Sequence, residues 1–379
     1  GYSREYAAAV EACASTGGTL MPPVMGAVAF IMASFLGVSY GEVMLAALLP
    51  AVLFYLALLL QVDNYAARKG LMGMPAKDIP RVRDTLLSGW PYLLSLGVLI
   101  YMLLVMRLES QAPYYATLIL LAIALVRRQQ RLRISQLLDF FYQLAHGVGS
   151  LVAVLAGIGL VVGGLSYTGV AGAFSRELLL YAGDSIPLML AAGAITSFIL
   201  GMGMTVSACY IFLSILLAPA LVGAGLNPLA SHLFILYWGM LSYITPPVAL
   251  AAITAAGVAG ANSTRTSLHA VRLGAVLFVL PFLFVLNPSL ILQGPLLSVM
   301  ASAFTAMTAI WLVAAAMEGY LYRIGSVGVR MRCALLVPAA LMIYPEWISD
   351  LLGFLALAVC YLMAMLHTTK RADITKCST

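Results

Sequence analysis

Charge is what this sequence has least of. Asp, Glu, Lys and Arg together make up 9% of the 379 residues, while 63% are apolar and the mean hydropathy is +1.02. That balance excludes a soluble globular domain. The net charge of +6 does not point to nucleic acid, because the basic residues sit in short clusters between apolar runs rather than on one face. Cysteine is also scarce: Cys13, Cys209, Cys333, Cys360 and Cys377 are scattered, and the first four fall in or beside apolar runs. This spacing fits neither a disulfide framework nor a zinc site. No His-Glu-x-x-His or Gly-x-Ser-x-Gly motif is present. The run Asp63-Asn64-Tyr65-Ala66-Ala67-Arg68 lacks the following glycine and paired downstream aspartates that lipid phosphotransfer on a metal requires. An intramembrane lipid-modifying enzyme is therefore the weaker alternative, and no cofactor is expected. The opening Gly1-Tyr2-Ser3-Arg4 shows no signal-peptide pattern, and the chain is expected to begin partway through a larger protein.

What is present is a succession of apolar runs, which predicts an all-α polytopic membrane protein. The first, 6–35, is split by Pro22-Pro23, and the second, 43–62, leads to a polar loop with Arg68, Lys69, Lys77, Arg81 and Arg83. Runs 90–106 and 114–126 follow and end at Arg127, Arg128, Arg131 and Arg133. Residues 134–146 alternate apolar and polar side chains at helical spacing and read as an interfacial helix. A crossing is expected over 147–165 and an external connection over 166–185, where Asp184 reads as a surface charge. Two arms, 187–200 and 209–222, flank the glycine-rich stretch 201–208. Each spans only about 21 Å at 1.5 Å per residue, so together they read as a re-entrant hairpin. A second broken helix, 231–259, and runs 273–286, 296–317, 333–344 and 351–366 complete an expected ten crossings plus one hairpin. In that arrangement Lys and Arg other than Arg107 and Arg176 face the cytoplasm, as does the C-terminus.

A shift of 224 positions (246 − 22) places Pro22-Pro23-Val24 on Pro246-Pro247-Val248. It also places 46–54 on 270–278, identical except at Ala47/Val271, Leu48/Arg272 and Pro50/Gly274. The two copies run in opposite directions across the membrane. Inverted repeats with a broken helix apiece are the sequence pattern of a secondary transporter whose site lies between the breaks. A non-transporting membrane assembly or channel subunit has no use for two such interruptions, since proline removes an amide hydrogen and frees carbonyls that hydrocarbon cannot satisfy. The organisation expected is 1–62 as the second part of the first repeat, 63–146 as linking spans, 147–290 as the second repeat and 291–379 as a C-terminal extension.

At these residues the chain resembles the large membrane subunit of tripartite ATP-independent periplasmic (TRAP) transporters, specifically the fused permeases served by TAXI-type binding proteins. The matching stretches are Ala9-Val10-Glu11-Ala12-Cys13-Ala14-Ser15-Thr16-Gly17-Gly18, Met21-Pro22-Pro23-Val24-Met25-Gly26, Leu200-Gly201-Met202-Gly203-Met204 and Ile244-Thr245-Pro246-Pro247-Val248-Ala249-Leu250-Ala251. Residues 1–295 carry the resemblance. It implies a sodium- or proton-driven importer of organic acids in the cytoplasmic membrane of a bacterium or archaeon, working by an elevator movement. It further implies substrate delivery by an extracytoplasmic TAXI-type binding protein and small-subunit helices fused upstream. Two departures stand out: Thr205 where the hairpin tip usually has proline, and Tyr243 where an acidic or small polar residue usually precedes Ile-Thr-Pro-Pro.

Unwound backbone offers carbonyl oxygens to a hard cation without burying a carboxylate. One ion site is expected among Gly201, Gly203, Thr205 and the carbonyls of Tyr243, Ile244 and Thr245, and its repeat partner near Gly17, Gly18 and Thr19. The partner site would be half built by a hairpin missing from this sequence. Helix starts after Pro247 and Ser207 present amides to a substrate carboxylate, with Thr205, Ser207, Pro246 and Pro247 around it. Small residues in membranes also simply pack helices, which is the competing reading of each glycine and hydroxyl. Glu11, a charge inside a span, either takes part in coupling or reaches water at the span's end.

Overall fold

The computed structural model describes residues 1–75, 78–126, 134–183, 185–344 and 346–377. Lys77, Arg127, Arg128, Arg131, Arg133 and Asp184 lie outside the described residues. The first broken helix consists of α1 (Arg4–Gly17) and α2 (Ala27–Leu36), and α3 (Tyr40–Lys69) returns beside it. Ser39 and Glu42 form a reciprocal cap at the start of α3, and Gly70 closes it in the left-handed conformation. Arg68, read from the sequence as a loop residue, thus lies in the last turn of α3. Helices α4 (Val82–Leu104) and α5 (Ala112–Val126) pack on each other as a pair.

One expectation fails in the next stretch. Residues 134–146 and the following crossing form one helix, α6 (Ile134–Tyr167), with no break at His146. The polar spacing there fits a continuing helix, and neither a proline nor a cap intervenes. The connection expected over 166–185 contains a helix, α7 (Val170–Ala182).

The two arms flanking the glycine-rich stretch are α8 (Ile186–Gly201) and α9 (Val206–Leu216), the latter followed by α10 (Ala218–Gly223). The second broken helix is α11 (Pro228–Met240), a 3-10 turn at Leu241–Tyr243, and α12 (Leu250–Ala259). Helices α13 (Ser263–Leu273) and α14 (Ala275–Leu286) then run on through Gly274. The C-terminal part comprises α15 (Leu296–Glu318), a short antiparallel pairing of Tyr320–Leu321 with Gly325–Ser326, α16 (Val329–Ile343) and α17 (Trp347–Cys377).

Six segments among the described residues are long and apolar enough to cross a membrane: α3, α4, α6, α13 with α14, α15 and the first part of α17. The remaining expected crossings correspond to short or paired helices. Because lipid is as apolar as leucine, close backbone approach and internal hydrogen bonds hold such a bundle, not burial from water. The larger core joins both broken helices, α3, α9, α11 and α14. A smaller one, around Leu312, Leu335, Ala339, Met342 and Cys360, belongs to the C-terminal three-helix unit.

Candidate functional site

The shift that relates the letters of the two breaks also relates their backbones. Pro22-Pro23 and Pro246-Pro247 are both cis. Two residues beyond, Met25 and Ala249 carry φ of 45° and 40°, a left-handed conformation that non-glycine residues seldom adopt. The Ala249 amide donates to the carbonyls of Ser242 (3.1 Å) and Thr245 (3.0 Å), closing the second break on itself. At the first break the phenols of α3 do that work. Tyr55 donates to the Ala14 carbonyl at 2.8 Å and Tyr40 to that of Pro23 at 2.6 Å. Each satisfies an acceptor that the interruption leaves without a helical partner.

The broken helices meet at their interruptions. Helix α1 packs along α12 and α13, while α2 packs against α9 and α11. Thr19 Oγ1 donates to the Thr16 carbonyl at 2.8 Å and lies 3.6 Å from Met240 Sδ, so the first break touches the residue that ends α11. Gly17 is buried where a Cβ would enter the Phe54 ring, so α1 needs glycine there to approach α3. Gly18 is exposed beside it.

At the hairpin tip, two consecutive residues of the second break hold both sides of the turn. Ser242, fully buried, donates through Oγ to the Gly201 carbonyl at 2.8 Å. The Tyr243 hydroxyl accepts the Val206 amide hydrogen at 3.3 Å, at the positive end of α9. Gly201 is buried against Gly239, whose carbonyl would occupy the place of any Cβ. Gly203 is exposed and open: a Cβ there would meet nothing nearer than the Leu200 carbonyl at 3.9 Å. The packing reading therefore accounts for Gly201 and leaves Gly203 unexplained.

The hydroxyls divide similarly. Thr205 caps α9, its Oγ1 accepting the Ala208 amide at 3.3 Å, and Thr245 donates to the Leu241 carbonyl at 2.8 Å. Ser207 lies inside the first turn of α9, because the helix begins at Val206 rather than after Ser207. Pro246 and Pro247 are exposed, and Ile244 is buried with its Cδ1 against Gly274. The structure thus brings Gly201, Thr205, Tyr243 and Val206 to one place, and sets Thr19 against Met240 at the end of α11.

Glu11 is exposed and lines an open groove of about 660 Å³ between α1 and α12, whose walls are mainly apolar and which Tyr243 also borders. Sequence reasoning missed three features. Ser242, in the second break, was given no role. Thr16 and Ser197 are buried, and their hydroxyls have no hydrogen-bond partner among the described residues. His232 is buried with its Nδ1 2.6 Å from the Tyr210 hydroxyl.

Among the described residues no group of three or more His, Cys, Asp or Glu side chains is placed to hold a metal ion. The oxygen atoms gathered at the junction are carbonyls and hydroxyls, a donor set suited to a hard cation. No curated protein matches the chain. A family model, the DctM component of the tripartite ATP-independent periplasmic transporter, matches residues 1–299, and the chain belongs to that family of TRAP membrane permease components.

Proposed function

We propose that this TRAP permease couples uptake of small organic acids to entry of sodium at the junction of the two breaks and the hairpin tip. The observation that carries this reading is the pair of matched breaks in contact, with the tip fastened to the second by Ser242 and Tyr243. Sodium sits among carbonyls near Gly203 and the second break, with Thr205 and Thr245 at its rim. The buried Thr16 hydroxyl and Thr19 serve the equivalent position at the first break. The substrate carboxylate binds at the amide end of α9, beside Ser207, Pro246 and Pro247, where it competes with the Tyr243 hydroxyl for the Val206 amide. Proton coupling is the alternative for the same geometry, with Glu11 as the carrier.

The groove between α1 and α12 has a counterpart in the second repeat, where α9 seats against α11 and α2. Under the repeat, the α1–α12 groove takes the arm of a second hairpin and completes the first ion site. The carboxylate reaches the permease from an extracytoplasmic binding protein of the TAXI type, with small-subunit helices fused upstream. The broken helices, hairpin and substrate move together as an elevator in the inner membrane, with the C-terminus cytoplasmic.

Sodium binding is read on the purified protein by thermal unfolding in sodium chloride against equal choline chloride. A ligand at 100 times its Kd stabilises by about 2.7 kcal/mol. A melting temperature that rises with sodium and saturates is expected; identical curves in the two salts reject the ion site.

A further inference from the structure

Glu318 ends α15, beyond the residues that match the family, and its side chain is completely buried. One carboxylate oxygen, Oε1, lies 3.1 Å from Arg272 Nη2 in α13 and 3.5 Å from the Tyr6 hydroxyl in α1, which donates to it. The other, Oε2, is 3.9 Å from Arg68 Nη2 in α3. The end of α15 is held by the same charges: Arg68 donates to the Glu318 carbonyl, and Arg332 of α16 to those of Ala316 and Met317. Cations at a helix C-terminus are favoured by the dipole, so the guanidinium groups of Arg68 and Arg332 are accounted for by α15 itself. The carboxylate is not. It reaches past α15 to three helices of the family-matched body.

A carboxylate buried this deeply, even paired with guanidinium groups that are themselves partly exposed, is a poor device for stability alone, since well-packed apolar residues of the same volume do as well or better. Its best-attested use is to fix one arrangement among several. The helices it touches matter. Helix α1 runs into the first break, and α13 follows α12 out of the second. Gln61 of α3 ties into the same seam, its Nε2 donating to the Leu273 carbonyl at 2.8 Å.

We propose that the C-terminal three-helix unit clasps the permease through Glu318, a positioning residue that sets α1 and α13 against α3 and thereby governs when the two broken helices shift. The shift itself rests on the transport reading given above; the clasp does not.

A native reporter lies in the seam. Cys13 of α1 is fully buried, and its Sγ donates to the Ala270 carbonyl of α13 at 3.3 Å. Cys209, buried in α9 away from the seam, serves as control. The full chain is prepared in nanodiscs in two forms, one keeping only Cys13 and the other only Cys209, and N-ethylmaleimide labelling is timed. Glu318→Gln, which removes the charge and keeps the shape, is expected to speed labelling of Cys13 by about tenfold through local opening while Cys209 keeps its parental rate. The exchange Glu318→Arg with Arg272→Glu returns Cys13 toward the parental rate. Should Glu318→Gln fail to fold, Glu318→Asp tests the same claim with a shorter carboxylate and an intermediate acceleration. An unchanged Cys13 rate overturns the proposal, and so does equal acceleration of both cysteines, which marks Glu318 as a general stabiliser. If sodium drives no uptake in the parent protein yet Cys13 responds alone, the clasp stands and the transport reading falls.

Discussion

The Ser242 hydroxyl donates to the Gly201 carbonyl at 2.8 Å, joining residues 41 positions apart and fastening the end of one hairpin arm to the interruption of a broken helix. Both groups are buried, so neither has water as a substitute partner. Ser242→Ala strands the carbonyl. The expected loss is about 1–3 kcal/mol of stability, read as a lower melting temperature, together with weaker sodium activation. Full retention of both argues that the tip does not depend on the break.

The two tip glycines separate packing from function. Gly201→Ala drives a methyl group into the Gly239 carbonyl and is expected to destabilise by about 1–3 kcal/mol. Gly203→Ala has open space, so the fold should survive with an unchanged melting temperature. Any loss in that variant should appear in transport. Equal destabilisation by both would contradict the open tip.

Thr205 and Thr245 test the proposed second ion site. Thr205→Ala removes a helix cap worth about 1 kcal/mol, which Thr205→Ser keeps. Thr205→Ala and Thr245→Ala should each shift sodium activation to higher concentration, and Thr205→Ser should not. If neither alanine variant changes the sodium dependence, the ion is bound elsewhere.

Thr16 tests the first. Its buried hydroxyl has no hydrogen-bond partner among the described residues, so Thr16→Val keeps the shape and breaks no observed bond. The melting temperature without sodium should hold or rise, because a buried polar group without a partner is itself unfavourable. The sodium-induced rise should shrink. A valine variant with the parental sodium response removes Thr16 from the site.

Much of this was legible in the letters for a physical reason. Pro22-Pro23 and Pro246-Pro247 must interrupt a helix, because proline cannot donate to the turn before it, and Gly201 to Gly203 must permit a tight turn. The positions of α1, α2, α8, α9, α11 and α12 followed. The bounds of α6 did not, since 134–146 carries polar residues at a spacing equally suited to an interfacial helix and to the start of a longer one. Ser242 was missed because the rotation of the 3-10 turn at 241–243, not composition, decides which hydroxyl faces Gly201. Glu318 directly follows the apolar run 296–317, and nothing in the sequence singles it out. Only the return of Tyr6, Arg68 and Arg272 to the same point, from positions far apart in sequence, shows it to be interior.

The central claim is ion-coupled uptake at the paired breaks, and reconstitution tests it most directly. The permease, with its small-subunit helices and its binding protein, is placed in liposomes, and entry of radiolabelled organic acids is followed under an inward sodium gradient, an inward proton gradient or neither. A sodium gradient should drive accumulation of at least one acid, dependent on the binding protein and diminished by Thr245→Ala. Failure of every acid under both gradients contradicts the account.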